Sequence, residues 1–183
     1  KLFTKKFADY AIINIDDDYG KKLYESINLT KVSYAINNSS DLTAKEIKST
    51  NLGQSFSASN QSYDISLLGR FNIYNSLATI LSLKSLGFNE EEIKKALKSL
   101  QPVSGRFNTY LINDIIVVID YAHTPDGLSN VLSSCRELAN GKKVISVFGC
   151  GGNRETQKRQ IMGEISSKNA DLTIITSDNP RFE

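Results

Sequence analysis

No stretch of this 183-residue sequence is apolar for long enough to cross a bilayer as a helix, and no signal-peptide pattern opens it. There is one histidine, His123, and there are two cysteines, Cys135 and Cys150, which fall in an expected helix and an expected turn. Two such cysteines do not make a disulfide framework and fit a reducing cytoplasm. No Lys/Arg run with interleaved aromatics occurs, and the net charge is +2, so neither composition nor pattern calls for a nucleic-acid partner. Neither G-x-G-x-x-G nor G-x-x-x-x-G-K-[ST] is present, which excludes the usual dinucleotide fingerprint and the usual phosphate loop from this stretch. Repeats and low-complexity tracts are also missing. What remains is 40% hydrophobic and 23% charged, enough for a packed core and ordinary for a soluble protein. The sequence starts on Lys1 rather than Met and stops at Glu183 directly after a strand-end motif, so we expect a piece of a longer polypeptide.

The most informative segment reads IIVVIDYAHTPDGL, residues 115–128. Its Ile/Val run predicts a buried parallel strand, apolar on both faces. Thr124 and Pro125 predict a helix start, a hydroxyl N-cap followed by proline where its missing N–H costs nothing. Asp120 and His123 are thereby placed at a strand's carboxyl end and a helix mouth, where open α/β sheets bind ligands. The pattern recurs. Residues 143–148 predict a strand followed by the turn Gly149-Cys150-Gly151-Gly152-Asn153-Arg154, and residues 172–176 another, followed by Ser177-Asp178-Asn179-Pro180-Arg181. With helices expected over 124–138 and 155–168, this predicts two consecutive βαβ units and a parallel sheet.

The first half is less regular. Residues 11–15 predict a short strand, and Asp16-Asp17-Asp18 after it reads either as a metal-holding cluster or as a turn whose last aspartate caps the helix 19–27; the cap is favoured because the further ligands of a calcium loop do not follow. Residues 32–37, 44–49, 55–59 and 63–67 read as short strands of an antiparallel sheet with one wet face, the first two parted by the turn formers 38–41. Gly69 opens a helix with a broad apolar face, ended by Gly87. Asn72 and Asn75 lie three apart on its first turn, serving either as local caps or as a pair of amides aimed at a ligand. Asn89 with Glu92 is a capping box for the helix 90–99. Pro102, Ser104 and Gly105 mark a break, so we expect a boundary near Val103, with Arg106 just beyond it and a strand over 107–111.

The strand-end motifs admit more than one reading. A glycine-rich strand-to-helix turn is either a tight turn or an anion site built from exposed N–H groups, and Arg154 beside it adds a cationic fork for a carboxylate or phosphate. His123 is a general base or a hydrogen-bonding group. Cys150 as a nucleophile with His123 is disfavoured, because glycines flank it and no orienting partner is evident. Asp178, Asn179, Pro180 and Arg181 form either an ordinary Asx-Pro turn or a site for a zwitterionic amino acid, the acid for its ammonium and the guanidinium for its carboxylate.

Taken together, GRFNIYN (69–75), SGRF (104–107), DYAHTPDGL (120–128), FGCGGNR (148–154), KRQIMGEI (158–165) and TSDNPR (176–181) resemble the Mur ligases, most closely the tripeptide-synthetase branch. The resemblance is weakest over residues 31–67 and most specific from Gly69 onward. It implies an α/β chain: residues 1–102 as the latter part of a central ATP-binding domain with a mixed sheet, and 103–183 as the first part of a Rossmann-like C-terminal ligase domain with a parallel sheet. It also implies a cytoplasmic, monomeric, ADP-forming enzyme of peptidoglycan synthesis with ATP and Mg2+ as cofactors. Its substrates would be a UDP-N-acetylmuramoyl dipeptide and meso-diaminopimelate, joined through an acyl phosphate, with neither nucleic acid nor membrane as partner. Asn72, Asn75, Arg106, Asp120 and His123 match positions around ATP, with Arg106 and His123 in catalytic roles and Arg106 reaching the phosphates. Arg154, Asp178, Asn179, Pro180 and Arg181 match positions that hold the added amino acid. Arg181 resembles the members that use meso-diaminopimelate, since those adding L-lysine usually lack it. The family's G-T-N-G-K-T loop, its UDP-binding domain and its magnesium-liganding carbamylated lysine are not in this stretch, so we expect it to be inactive alone. The rival readings are an L-lysine-adding member, a folylpolyglutamate synthetase-like ligase, a nucleotide-sensing module and a Cys/His hydrolase.

Overall fold

Tyr10–Asn14 forms the first strand, β1, by burying Ala11 and Ile13 on one side. The structure, a computed structural model, describes residues 3–50 and 53–183, which divide into two units, Lys1–Gln101 and Pro102–Glu183.

In the first unit, β1 is followed by helix α1 (Asp18–Ser26) and strand β2 (Thr30–Ala35), and the two strands pair in parallel from Tyr10↔Thr30 to Asn14↔Tyr34. A short β3 (Leu42–Thr43) extends this sheet, again in parallel. The expected all-antiparallel arrangement therefore fails for residues 32–37: a helix joins β1 to β2, and a helical crossover returns the chain in the same direction. The expected strand over 44–49 is present as β4 (Lys45–Thr50), parted from β3 by buried Ala44, and it starts a second sheet with β5 (Gly53–Ala58) and β6 (Gln61–Ile65). This second sheet is antiparallel, with a bulge between Lys45 and Lys48 where Glu46 takes a positive φ.

Gln54, Phe56 and Ala58 point inward from β5, and Tyr63 and Ile65 from β6. Phe56 and Tyr63 are register partners and stack with ring centroids 5.3 Å apart. Onto them pack helix α2 (Arg70–Ser85), through Ile73, Leu77 and Ile80, and helix α3 (Glu90–Ser99), through Ile93 and Leu97. The spacing 73, 77, 80 is one helical stripe, and each such aliphatic side chain contributes about 1.5–3 kcal/mol by leaving water. Asn89 and Glu92 form the capping box that the sequence predicts. The Tyr63 hydroxyl donates to the carboxylate of Glu90, tying the second sheet to the start of α3.

The second unit opens with strands β7 (Asn108–Ile112) and β8 (Ile115–Ile119), paired antiparallel across the turn Asn113-Asp114. Both turn residues have positive φ, 47° and 64°, which is what a two-residue type I′ hairpin requires. The Ile/Val run is therefore not a buried parallel strand. Among the described residues β8 pairs with β7 alone, and Ile115 and Ile119 are 65% and 51% exposed. Helix α4 (Pro125–Ala139) follows, then β9 (Ile145–Phe148), helix α5 (Gln157–Asn169) and β10 (Leu172–Ile175). β9 and β10 are parallel, so one of the two expected βαβ units closes as such. Leu128 and Leu132 of α4, Val144 just before β9, and Met162 of α5 make the core of this unit.

Candidate functional site

The residues singled out from sequence fall into one group in the first unit and two in the second. In the first unit the group sits on the opening turn of α2. Gly69 caps that helix at φ 94°, and the Phe71 ring fills the space a side chain there would need. Asn72 donates from Nδ2 to the Leu68 carbonyl at 2.7 Å, and Asn75 Nδ2 donates to Asn72 Oδ1 at 3.1 Å. The two amides are thus linked in a short chain that is both a local cap and an ordered pair, with Asn75 exposed.

The aspartate triplet behind this turn is neither a metal cluster nor the cap as expected. Among the described residues no group of three His, Cys, Asp or Glu side chains can hold a metal. The cap of α1 is Asp17, not Asp18, and its carboxylate accepts from Gly20 N at 2.7 Å. Asp16 has a different task that sequence reasoning missed. It accepts from the backbone N–H groups of Ile36, Asn37 and Asn38 and from the Tyr74 hydroxyl of α2. Burial on its own would raise its pKa, but these donors outweigh it and hold the carboxyl below its ordinary value.

In the second unit, Asp120 closes the end of β8. Its Oδ2 accepts from Phe107 N at 2.8 Å and its Oδ1 from Ala122 N at 2.7 Å, while Tyr121 N donates to Gly105 O. This folds the segment 105–107 against 120–122 and brings Arg106, Asp120 and His123 into one neighbourhood. The Arg106 guanidinium lies 5.4 Å from the centre of the Tyr121 ring, and that ring lies 5.1 Å from the His123 ring. His123 Nδ1 meets Tyr121 O at 3.0 Å, and Lys158 Nζ donates to His123 O at 2.8 Å. Tyr121 and Lys158 escaped the sequence reading. An aromatic between an acid and a histidine was the available signal for the first, and nothing local signalled the second. Thr124 caps α4 through Gly127 N, with Pro125 at its first turn, as the sequence predicts.

The loops after β9 and β10 meet. Gly152 N donates to Asn179 O at 2.9 Å, Phe182 N to Asn153 Oδ1 at 3.0 Å, and Asn153 N to Glu183 Oε1 at 2.9 Å. A side chain on Gly149 would stand 2.5 Å from Thr176 O, and one on Gly152 would collide with the Pro180 carbonyl. Arg159 pairs with Glu183 at 2.5 Å, and that pairing, with the Asn153 N–H, lowers the Glu183 pKa. The candidate residues Arg154, Asp178, Asn179, Pro180 and Arg181 therefore lie on two loops held edge to edge. Arg154 and Arg181 are exposed and make no hydrogen bond or ion pair with any described residue. Guanidinium groups without protein partners have the charge and the donor geometry to take up carboxylates.

Cys150 stands apart from this polar rim. Its thiol lies 3.8 Å from Met162 Sδ, against the apolar core of the unit. The other thiol, Cys135, is pushed up to about 11, first by burial and then by the charge of Asp120. Neither has the setting of an activated nucleophile.

Two family models match the chain: the Mur ligase middle domain over residues 1–83 and the Mur ligase, glutamate ligase domain, over residues 105–183. Among curated relatives, a UDP-N-acetylmuramoyl-L-alanyl-D-glutamate–2,6-diaminopimelate ligase of Clostridioides difficile (strain 630) is 48% identical across 100% of this chain and 39% of its own length. A relative of the same name in Syntrophomonas wolfei is 42% identical, over 100% and 38%. The chain thus spans about two fifths of the length of the curated relatives it matches. A solved structure of a ligase named for the same substrates has a TM-score of 0.62 at 28% identity, covering 100% of this chain and 39% of that one. A complex of FPGS with AMPPCP and folate has a TM-score of 0.67 at 15% identity, over 90% and 40%, a likeness of fold alone.

Proposed function

The chain belongs to the Mur ligase family, and from that premise we propose that it is part of the ligase that adds meso-diaminopimelate to UDP-N-acetylmuramoyl-L-alanyl-D-glutamate. ATP phosphorylates the terminal carboxylate of the dipeptide, the amine of the incoming amino acid attacks the acyl phosphate, and an amide, ADP and phosphate result. Asn72 and Asn75 contact ATP in the first unit. In the second, Arg106, Asp120 and His123 line the nucleotide, and Arg106 offsets charge developing on the transferred phosphoryl group. Arg154, Asp178, Asn179, Pro180 and Arg181 hold the amino acid. Its ammonium suits the Asp178 carboxylate, and its two carboxylates suit the two guanidinium groups.

The family's Mg2+ is not accommodated by a cluster among the described residues, so no step is assigned to a metal held by this chain. No described helix is long and apolar enough to cross a membrane. We infer a cytoplasmic enzyme on the strength of its soluble nucleotide-linked substrates.

The observation that carries the reading is the meeting of the 149–154 turn with the 178–181 loop, which bear Arg154 and Arg181, each without a hydrogen bond or ion pair among the described residues. L-Lysine has no distal carboxylate and would leave one of these cations without a counter-charge. The test is ADP release by the full-length protein, which should require meso-diaminopimelate together with the UDP-linked dipeptide. Arg181→Ala should raise the KM for the diamino acid far more than that for ATP, by about 2 to 4 kcal/mol for a lost charge pair. Turnover with L-lysine at a comparable kcat/KM, or equal weakening of both substrates, would overturn the assignment.

A further inference from the structure

We propose that Asp16 is a positioning residue for nucleotide binding, which sets the rotation of helix α2 about its own axis and so the aim of the Asn72 and Asn75 amides. The proposal rests on the reading above in which those amides contact ATP.

Asp16 lies two residues beyond the end of β1, half-buried, and both of its carboxylate oxygens are engaged. Oδ2 accepts from Ile36 N at 2.6 Å, Asn37 N at 2.9 Å and the Tyr74 hydroxyl at 2.7 Å. Oδ1 accepts from Asn38 N at 3.0 Å and Asn38 Nδ2 at 2.7 Å. This is more than a turn needs: one carboxylate gathers the loop that leaves β2 and joins it to α2. A second link runs in parallel, since Arg70 Nη2 donates to Asn37 Oδ1 at 2.6 Å and Asn37 Nδ2 donates to the Tyr74 hydroxyl at 3.4 Å.

Arg70 and Tyr74 are four residues apart and share one face of α2. At about 100° per residue, Asn72 and Asn75 are centred roughly 150° away around the helix. The tethers therefore grip one side of the opening turn while the amides project from the other. With side chains reaching about 5–6 Å from the axis, a rotation of only about 10° would carry an amide about 1 Å off its mark. A misplacement of that size costs binding and rate out of proportion to any lost contact. The cap of α2 is Gly69, which has no side chain to make a capping bond, so the opening turn relies on the Asn72 bond to the Leu68 carbonyl and on these tethers.

The test is steady-state kinetics of the full-length enzyme carrying Asp16→Asn, Tyr74→Phe or, as a reference, Asn75→Ala. Asp16→Asn replaces an oxygen that accepts by an NH2 facing N–H donors. It should raise the KM for ATP on the order of ten-fold while leaving the KM for the amino acid within about two-fold. Tyr74→Phe removes the direct bond between α2 and Asp16, leaving the Arg70–Asn37 link and the loop bonds of Asp16 in place, and should raise the KM for ATP roughly three-fold or more, again without touching the amino acid. Should Asp16→Asn fail to fold, Tyr74→Phe decides the matter. A lowered Tm with both KM values unchanged, or a parallel rise in both, would mean a merely structural role and would overturn the proposal. If Asn75→Ala raises the KM for ATP and Tyr74→Phe does not, the positioning role alone fails. If Asn75→Ala leaves it unchanged, the reading of the amides fails and the positioning role falls with it.

Discussion

The carbonyl of Pro180 occupies the space into which any side chain on Gly152 would project. Gly152 is buried, and its N–H donates to Asn179 O, so the two loops touch through backbone on both sides. Backbone cannot swing aside as a side-chain tip can. Gly152→Ala should therefore push the 178–181 loop outward and cost about 1–3 kcal/mol, the range for overpacking. Chemical denaturation measures the stability. The KM for the amino acid should rise with it, whereas the KM for ATP should not. An alanine variant of wild-type stability and kinetics would mean the loops do not hold this contact.

A second prediction concerns Asp120, which has two separable roles. Its carboxylate accepts from Phe107 N and Ala122 N, and Phe107 is held at φ 49°, a left-handed conformation uncommon for an aromatic residue. Asp120→Ala removes both acceptors and should destabilise the protein by about 1–3 kcal/mol, whatever becomes of nucleotide binding. Asp120→Asn keeps one acceptor oxygen and should fall between. A change under about 0.5 kcal/mol for Asp120→Ala would place those N–H groups in contact with water instead.

Much of this was legible in the chain because the signals were local. Thr124-Pro125, Asn89 with Glu92, and Gly87 each announce a helix end through the chemistry of a few adjacent residues, and each does so in the structure. The strands were harder. Residues 115–119 read as buried because Ile and Val dominate, yet the two-residue turn Asn113-Asp114 folds them back on β7. Composition alone does not distinguish a hairpin strand from a strand at a sheet's centre. Residues 32–37 lie in the parallel sheet rather than the antiparallel one because pairing direction depends on the connection, here α1, rather than on the strand's own pattern. Asp16 was invisible for a similar reason: its partners lie 20 to 22 and 58 residues away, and only the fold brings them to one carboxylate.

Cys150 gives a third test. Its thiol faces Met162 and the core rather than the rim where Arg154 and Arg181 project. Cys150→Ala should cost on the order of 1 kcal/mol in stability from lost packing and leave kcat within about two-fold. Loss of kcat by a factor of a hundred or more, with the protein still folded, would revive a nucleophilic role.

The pairing of Asp16 with Tyr74 also carries a pH signature at both ends of the scale. The Asp16 carboxyl is held below its ordinary value in the folded protein, so its contribution is present above the unfolded pKa near 4. It is lost as pH falls from there through the folded pKa. Tyr74 moves the other way. Burial first, then its hydrogen bond to Asp16 and the Asp16 charge, raise it to about 12. The folded state thus keeps that proton more firmly than the unfolded chain, whose tyrosines titrate near 10, and this contribution is present below about pH 10 and lost as pH rises from there toward 12. Tyr63 is shifted upward as well, by burial and then by Glu90, so the alkaline limb has two sources. Tyr74→Phe should make the loss of stability between about pH 10 and 12 shallower without abolishing it. Asp16→Asn should flatten the acid limb below about pH 4, where Asp41 and Glu90, also held low, still contribute. Urea midpoints taken across both windows measure these slopes. An alkaline limb unchanged by Tyr74→Phe would show that its hydroxyl is not held by Asp16 in solution.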